Sequence, residues 1–160
     1  GLFWLVENVW PLVRERLPSA TLNVAGRNPT ETVLKIDTPG VNIIGEVDDA
    51  QQFLLGHPVC VVPLLAGSGM RIKILEAMGL GRAIVTTSIG VEGILAHDNE
   101  HLCIEDTPQA FADAIVRLLQ DKAQVWQLGT AAREQIRTQY AWPAIAERFT
   151  KFFETVKSSK

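Results

Sequence analysis

The chain has 160 residues, enough for one domain, and its 47% hydrophobic and 21% charged residues exclude intrinsic disorder. With 15 Lys+Arg against 18 Asp+Glu the formal net charge is -3, which excludes the sustained basic surface that a nucleic-acid binder needs. The longest uncharged apolar stretch, Pro58 to Ala66, is far short of the roughly 20 residues that span a bilayer.

Leu2, Leu5, Val6, Val9, Leu12, Val13 and Leu17 recur at helical spacing, and Pro11 inside this run predicts a kink. Thr21 to Ala25 reads as a short strand closed by Gly26. Pro29 to Asp37 is a weak helical stretch, and Val41 to Ile44 a second strand closed by Gly45. Asp48-Asp49 is a good N-cap for a helix through Leu55. Val59 to Val62 and Ala83 to Thr86 are strands without polar alternation, which belong inside a parallel sheet covered on both faces. Between them, Pro63 to Gly69 is a loop and Met70 to Met78 a helix. Leu102 to Ile104 is a short strand. Thr107-Pro108 opens a helix over Ala110 to Leu119. Ala123 to Gln139 and Pro143 to Val156 form a helical tail.

Strands alternating with helices give an α/β fold, a doubly wound parallel sheet of Rossmann-like type with helices on both faces. Ligands in such folds sit at the carboxyl ends of the strands. The loops that follow the strands are Gly26 to Pro29, Gly45 to Asp48, Pro63 to Met70 and Thr87 to Gly93.

The third of these carries the strongest signal. Gly67 and Gly69 flank Ser68 just ahead of a helix, where glycine allows close approach of a ligand and the first amides lack intrahelical partners. Aligned peptide dipoles favour an anion there, and Arg71 and Lys73 add positive charge. Glu76, three residues after Lys73, can accept both hydroxyls of a ribose diol. The phosphate cradle and the diol acceptor lie roughly 10 Å apart along the axis, comparable to a nucleotide sugar. The spacing matches neither a P-loop nor the GxGxxG fingerprint, since position 72 is Ile72. A flexible loop beside a surface Lys73–Glu76 pair is the plainer reading of the same residues.

The run Pro63-Leu-Leu-Ala-Gly-Ser-Gly-Met-Arg-Ile-Lys-Ile-Leu-Glu-Ala-Met78, continued by Gly81-Arg-Ala-Ile-Val-Thr-Thr87 and Gly90-Val-Glu-Gly93, resembles the group 1 (family 4) retaining glycosyltransferases of bacterial sugar-transferase type. The likeness extends to Pro18–Gly26, Gly45–Asp49, Ala131-Ala-Arg-Glu and Tyr140-Ala-Trp142. It implies one half of a GT-B fold: residues 1–160 would be the C-terminal, donor-binding domain, with 142–157 a terminal helix and the N-terminal acceptor domain absent. It implies a nucleotide-diphosphate sugar, UDP- or GDP-linked, as donor. The acceptor would be a glycan or lipid-linked saccharide held by the missing domain, and no obligatory metal or other cofactor is implied. The second Glu of the family's Glu-x7-Glu motif falls on Glu76, whereas the first falls on Ser68. Backbone amides of Gly69, Met70 and Arg71 would face the sugar and diphosphate, with Gly67 and Ser68 in the same donor-binding loop. Gly45, Glu46 and Val47 match the place of the base, with Gly26 and Arg27 near the same crevice. Arg71 and Lys73 would stabilise the leaving diphosphate as catalytic residues.

The family's first donor-domain strand, central in the order 3-2-1-4-5-6, has no counterpart here. A gap in the middle of the sheet is therefore expected, and the chain reads as a piece of a longer polypeptide.

Cys60 and Cys103 read as reduced core thiols of a cytoplasmic protein, which on the resemblance could lie against the inner face of the membrane. His57 reads as structural, and His97 and His101 as members of a solvated turn rather than metal ligands. Trp4, Trp10, Trp126 and Trp142 read as core or docking residues. The last helix would face the missing domain, and left bare it favours a homodimer. Two alternative functions stay open here: a non-catalytic, self-associating GT-B-like module, and another GT-B enzyme such as a sugar-nucleotide epimerase.

Overall fold

The computed structural model describes residues 1–67 and 69–158, with no side-chain description beyond residue 155. The N-terminal helix runs as α1 (Leu2–Trp4), a π-helical segment (Leu5–Val9) and α2 (Trp10–Arg16). The π-turn sits where Pro11 acts: proline lacks an N–H and crowds the preceding turn, and the amide of Trp10 reaches back five residues to Leu5. The elements that follow are β1 (Leu22–Ala25), α3 (Glu31–Leu34), β2 (Val41–Gly45), α4 (Ala50–Leu55), β3 (Val59–Val62) and α5 (Ile72–Gly79). After them come β4 (Ala83–Thr86), β5 (Cys103–Ile104), α6 (Pro108–Gln120), α7 (Lys122–Gln139) and α8 (Trp142–Ser158).

Capping explains several boundaries. The side chains of Thr30, Asp49, Thr107 and Asp121 each accept a backbone N–H in the first turn of α3, α4, α6 and α7. The weak stretch after Pro29 forms only the single turn of α3. Helix α5 starts at Ile72 rather than Met70, because Gly69 is left-handed and Arg71 is extended (ψ 90°).

Among the described residues the strands form two parallel sheets, β1-β2 and β3-β4-β5. Among the described residues β1 pairs only with β2 and β3 only with β4, so no strand joins the two sheets where the central strand was expected. A side-chain bridge crosses there: Asn23 Nδ2 lies 2.8 Å from His57 Nε2, while His57 Nδ1 lies 2.6 Å from the Phe53 carbonyl. That carbonyl can only accept, so Nδ1 carries the proton and Nε2 accepts from Asn23. β4, with a neighbour on each side, is buried throughout, whereas β1 and β3 are half-buried throughout.

Alternate residues of β4 build two cores. Ala83 and Val85 join Val9, Val13, Phe111 and Leu118 on the α2/α6 side. Ile84 joins Ile74, Met78 and Ala132 on the α5/α7 side. Trp4 packs edge-on against Phe111, with ring centroids 5.4 Å apart, and Trp10 is buried with its indole N–H donating to Pro39 O. Trp126 and Trp142, by contrast, are 73% and 83% exposed and belong to neither core. The thiols of Cys60 and Cys103 are both free. Among the described residues no helix is long and apolar enough to cross a membrane.

Candidate functional site

The carboxyl ends of β3 and β4 carry the loops singled out by sequence. After β3 the chain turns through Pro63–Met70 into α5. Gly67 (φ +139°) and Gly69 (φ +84°) hold backbone conformations that L side chains rarely adopt. A Cβ at Gly69 would meet nothing within 4 Å, so the backbone there is open to an approaching group. A Cβ at Gly67 would strike the guanidinium of Arg71, which folds back across this glycine. Arg71 is therefore a half-buried residue at the N-cap position, packed against the turn, rather than a mobile charge in the first turn. Ser68 lies outside the described residues.

α5 buries Ile74, Ala77 and Met78 and leaves Lys73 and Glu76 exposed to solvent. Glu76 thus points away from the core and can reach a ligand. The amides of Ile74 and Leu75 bond to Arg71 O, so the helical hydrogen bonds begin only there. The amides ahead of them present their partial positive charge to the loop. Met70 beside them is 50% exposed.

A second group of predicted residues gathers at the carboxyl ends of β1 and β2. The amide of Gly26 donates to Gly45 O at 2.8 Å, and Arg27 Nε pairs with Glu46 Oε1 at 2.8 Å. Val24, Ala25, Gly26, Arg27, Pro29, Val33, Ile43 and Gly45 line a shallow pocket of about 140 Å³. Its lining is mostly apolar, and Arg27 is the charged residue among these. Val47 is half-buried beyond the strand end.

His101 departs from the solvated-turn expectation: it is buried, and its Nδ1 accepts the amide of His97 at 3.0 Å. That bond gives it a structural task in closing the 97–101 turn. Among the described residues no cluster of three or more His, Cys, Asp or Glu could hold a metal ion. Burial pushes the Cys60 thiol up to about 11, so it is protonated at neutral pH. Sequence reading passed over Thr86, Thr87, Ser88 and Asp106, which tie the strand-end loops together; a threonine in a strand carries no signal by itself.

The sequence model of the family "Glycosyl transferases group 1" matches residues 1–121. The chain belongs to this family. It is 28% identical over 157 residues to a phosphatidyl-myo-inositol mannosyltransferase of Mycobacterium leprae, covering 93% of this chain and 41% of that protein. It is 32% identical over 125 residues to an uncharacterized 44.6 kDa protein in the cps region of Klebsiella pneumoniae, covering 72% of this chain and 32% of the other. The chain thus spans about a third to two fifths of the length of these relatives. In fold it is similar to S. aureus TarM, crystallised as a mutant with fondaparinux, alpha-GlcNAc-glycerol and UDP (TM-score 0.79, 21% identity, 95% of this chain and 32% of that one). It is also similar to the pneumococcal O-GlcNAc transferase GtfA with UDP and GlcNAc (TM-score 0.71, 17% identity, 98% and 33%). These likenesses bear out the Rossmann-like α/β architecture of a GT-B half.

Proposed function

We propose that residues 1–160 form the donor-binding domain of a retaining glycosyltransferase, with 142–157 as its terminal helix. The observation that carries this reading is the open backbone at Gly69, at the head of α5, in a chain of this family. The donor is a nucleotide-diphosphate sugar, UDP- or GDP-linked. TarM and GtfA, whose structures hold UDP, share the fold.

The turn amides of Gly69, Met70 and Arg71 and the dipole of α5 receive the diphosphate. Arg71 and Lys73 offset the negative charge that grows on its oxygen as the bond to the anomeric carbon breaks. Glu76 accepts the ribose hydroxyls, and Ser68 hydrogen-bonds the donor sugar. The apolar pocket between Val24 and Gly45 takes the base, with Gly26, Arg27, Glu46 and Val47 around it. No obligatory metal is part of the proposal.

The acceptor is a glycan or lipid-linked saccharide bound by the remainder of the protein, and this chain alone transfers little sugar. The protein works in the cytoplasm or peripherally at the inner face of the membrane. The bare aromatic side of α8 supports self-association of this domain when nothing covers it.

Calorimetric titration of the intact protein with UDP, GDP and ADP tests the reading. One nucleotide is expected to bind, and Glu76→Ala is expected to weaken it about tenfold, as for loss of a hydrogen bond to a charged group. Transfer activity is expected to survive chelators. Failure of all three nucleotides to bind overturns the proposal.

A further inference from the structure

The carboxyl ends of β3, β4 and β5 are cross-linked by side chains as well as by the backbone. Thr86 and Thr87 end the fully apolar run of β4, and both hydroxyl-bearing side chains are buried, at 0% and 1% exposure. Thr86 Oγ1 donates to Val62 O at 2.9 Å, and Thr87 Oγ1 donates to Leu64 O. Val62 ends β3, and Leu64 lies in the loop that becomes the glycine turn. The amide of Leu64 bonds in turn to Val62 O at 2.9 Å. Thr87 Oγ1 also accepts the amide of Gly90 at 3.1 Å. The hydroxyl of Thr87 is therefore a buried relay, receiving from its own loop and giving to the neighbouring one.

Gly90 leaves room for this arrangement: a Cβ there would overlap Thr86 Oγ1 and lie 3.2 Å from Thr87 O. On the other flank, the amide and hydroxyl of Ser88 both donate to Asp106 Oδ1, at 2.8 and 3.0 Å, tying the β4 loop to the segment after β5.

A loop with two left-handed glycines has many conformations to lose, and holding one of them costs entropy each time a ligand binds. Leu64 O is the place where the loop leaves the sheet, so fixing it sets the direction in which residues 65–71 set out. We infer that Thr87, with Thr86 and Gly90 as its support, is a positioning residue for the donor loop. It acts through the loop rather than on the ligand, by keeping the amides at the head of α5 in the binding orientation. This rests on the donor-site reading above.

Thr87→Val keeps shape and removes the donor and acceptor, whereas Thr87→Ser keeps both. In the intact protein, Thr87→Val is expected to raise the nucleotide Kd, and the KM for donor, about tenfold, as for loss of binding energy supplied by the positioned loop. Amides of residues 64–71 are expected to exchange with solvent faster in this variant while those of α6 keep wild-type protection. Thr87→Ser restores both readouts, and Gly90→Ala reproduces the weakening by displacing the Thr86 hydroxyl. Should Thr87→Val fail to fold, Gly90→Ala gives the same readouts. A Thr87→Val or Gly90→Ala protein that binds as the wild type does, with unchanged exchange over 64–71, overturns this inference alone. A wild type that binds none of UDP, GDP and ADP overturns it together with the donor site.

Discussion

Helices α6 and α8 carry the same kind of sequence and meet opposite fates. Both have apolar residues at helical spacing with charge on the other side. α6 lays Phe111, Ala112, Ala114, Ile115, Val116 and Leu118 against the N-terminal helix and β4, and buries them all. α8 aligns Trp142, Phe149, Phe152 and Phe153 on one side, and all four are exposed. Periodicity states that a face is apolar and says nothing of what lies opposite it. For α6 the opposing surface is inside this chain.

The sharpest way to break the comparison is to truncate one ring on each helix. Phe111→Ala should lower unfolding stability by about 3–5 kcal/mol in urea titration, because a fully buried ring leaves a cavity. Next in size is Gly129→Ala on α7, where a Cβ would collide with Gly81 O at the approach of α7 to the turn after α5; about 1–3 kcal/mol should be lost by the same measurement. Smaller still is the exposed pair of Arg16 and Asp113, which joins α2 to α6. The hydrogen bond from Arg16 holds the Asp113 carboxyl below its usual range. A depressed carboxyl pKa stabilises the fold above the unfolded value and loses that contribution as pH falls through the folded one. Arg16→Ala should therefore shift Tm equally at about pH 8 and about pH 5, with the difference from wild type fading only below about pH 4. The least effect is expected on α8: Phe152→Ser should change stability by less than about 0.5 kcal/mol, while lowering binding of an apolar fluorescent dye to this chain. A large loss of stability there would mean that α8 is packed after all.

How much could be read in advance differs by element for physical reasons. β3 and β4 are legible residue by residue, since Val59–Val62 is an apolar run between Pro58 and Pro63, and Ala83–Val85 an apolar run that starts two residues after Gly81 and ends at Thr86. The start of α6 is legible because Thr107-Pro108 is a cap followed by a first-turn proline. The start of α5 is not: its residues favour a helix from Met70, and the left-handed Gly69 with the extended Arg71 delays it by two residues. At the site, the glycines, Lys73 and Glu76 announce themselves within ten residues of chain. The fold-back of Arg71 over Gly67 does not, because any flexible cation after a glycine loop looks the same in a sequence. The threonine clamp is equally silent, since its partners lie 23 and 24 residues away.

By itself, the order of residues determined the alternation of strands and helices, the glycine turn at the head of α5 and the membership of a sugar-transferring family. Each of these is written in neighbouring residues, where backbone preference and spacing act locally. Only the folded chain decided that β4 would be the buried centre of its sheet while β1 and β3 stay half-buried, that His101 would turn inward, and that two hydroxyls would hold the loop after β3. Those outcomes depend on which distant segments come to share a boundary, and burial is a property of that boundary rather than of any residue.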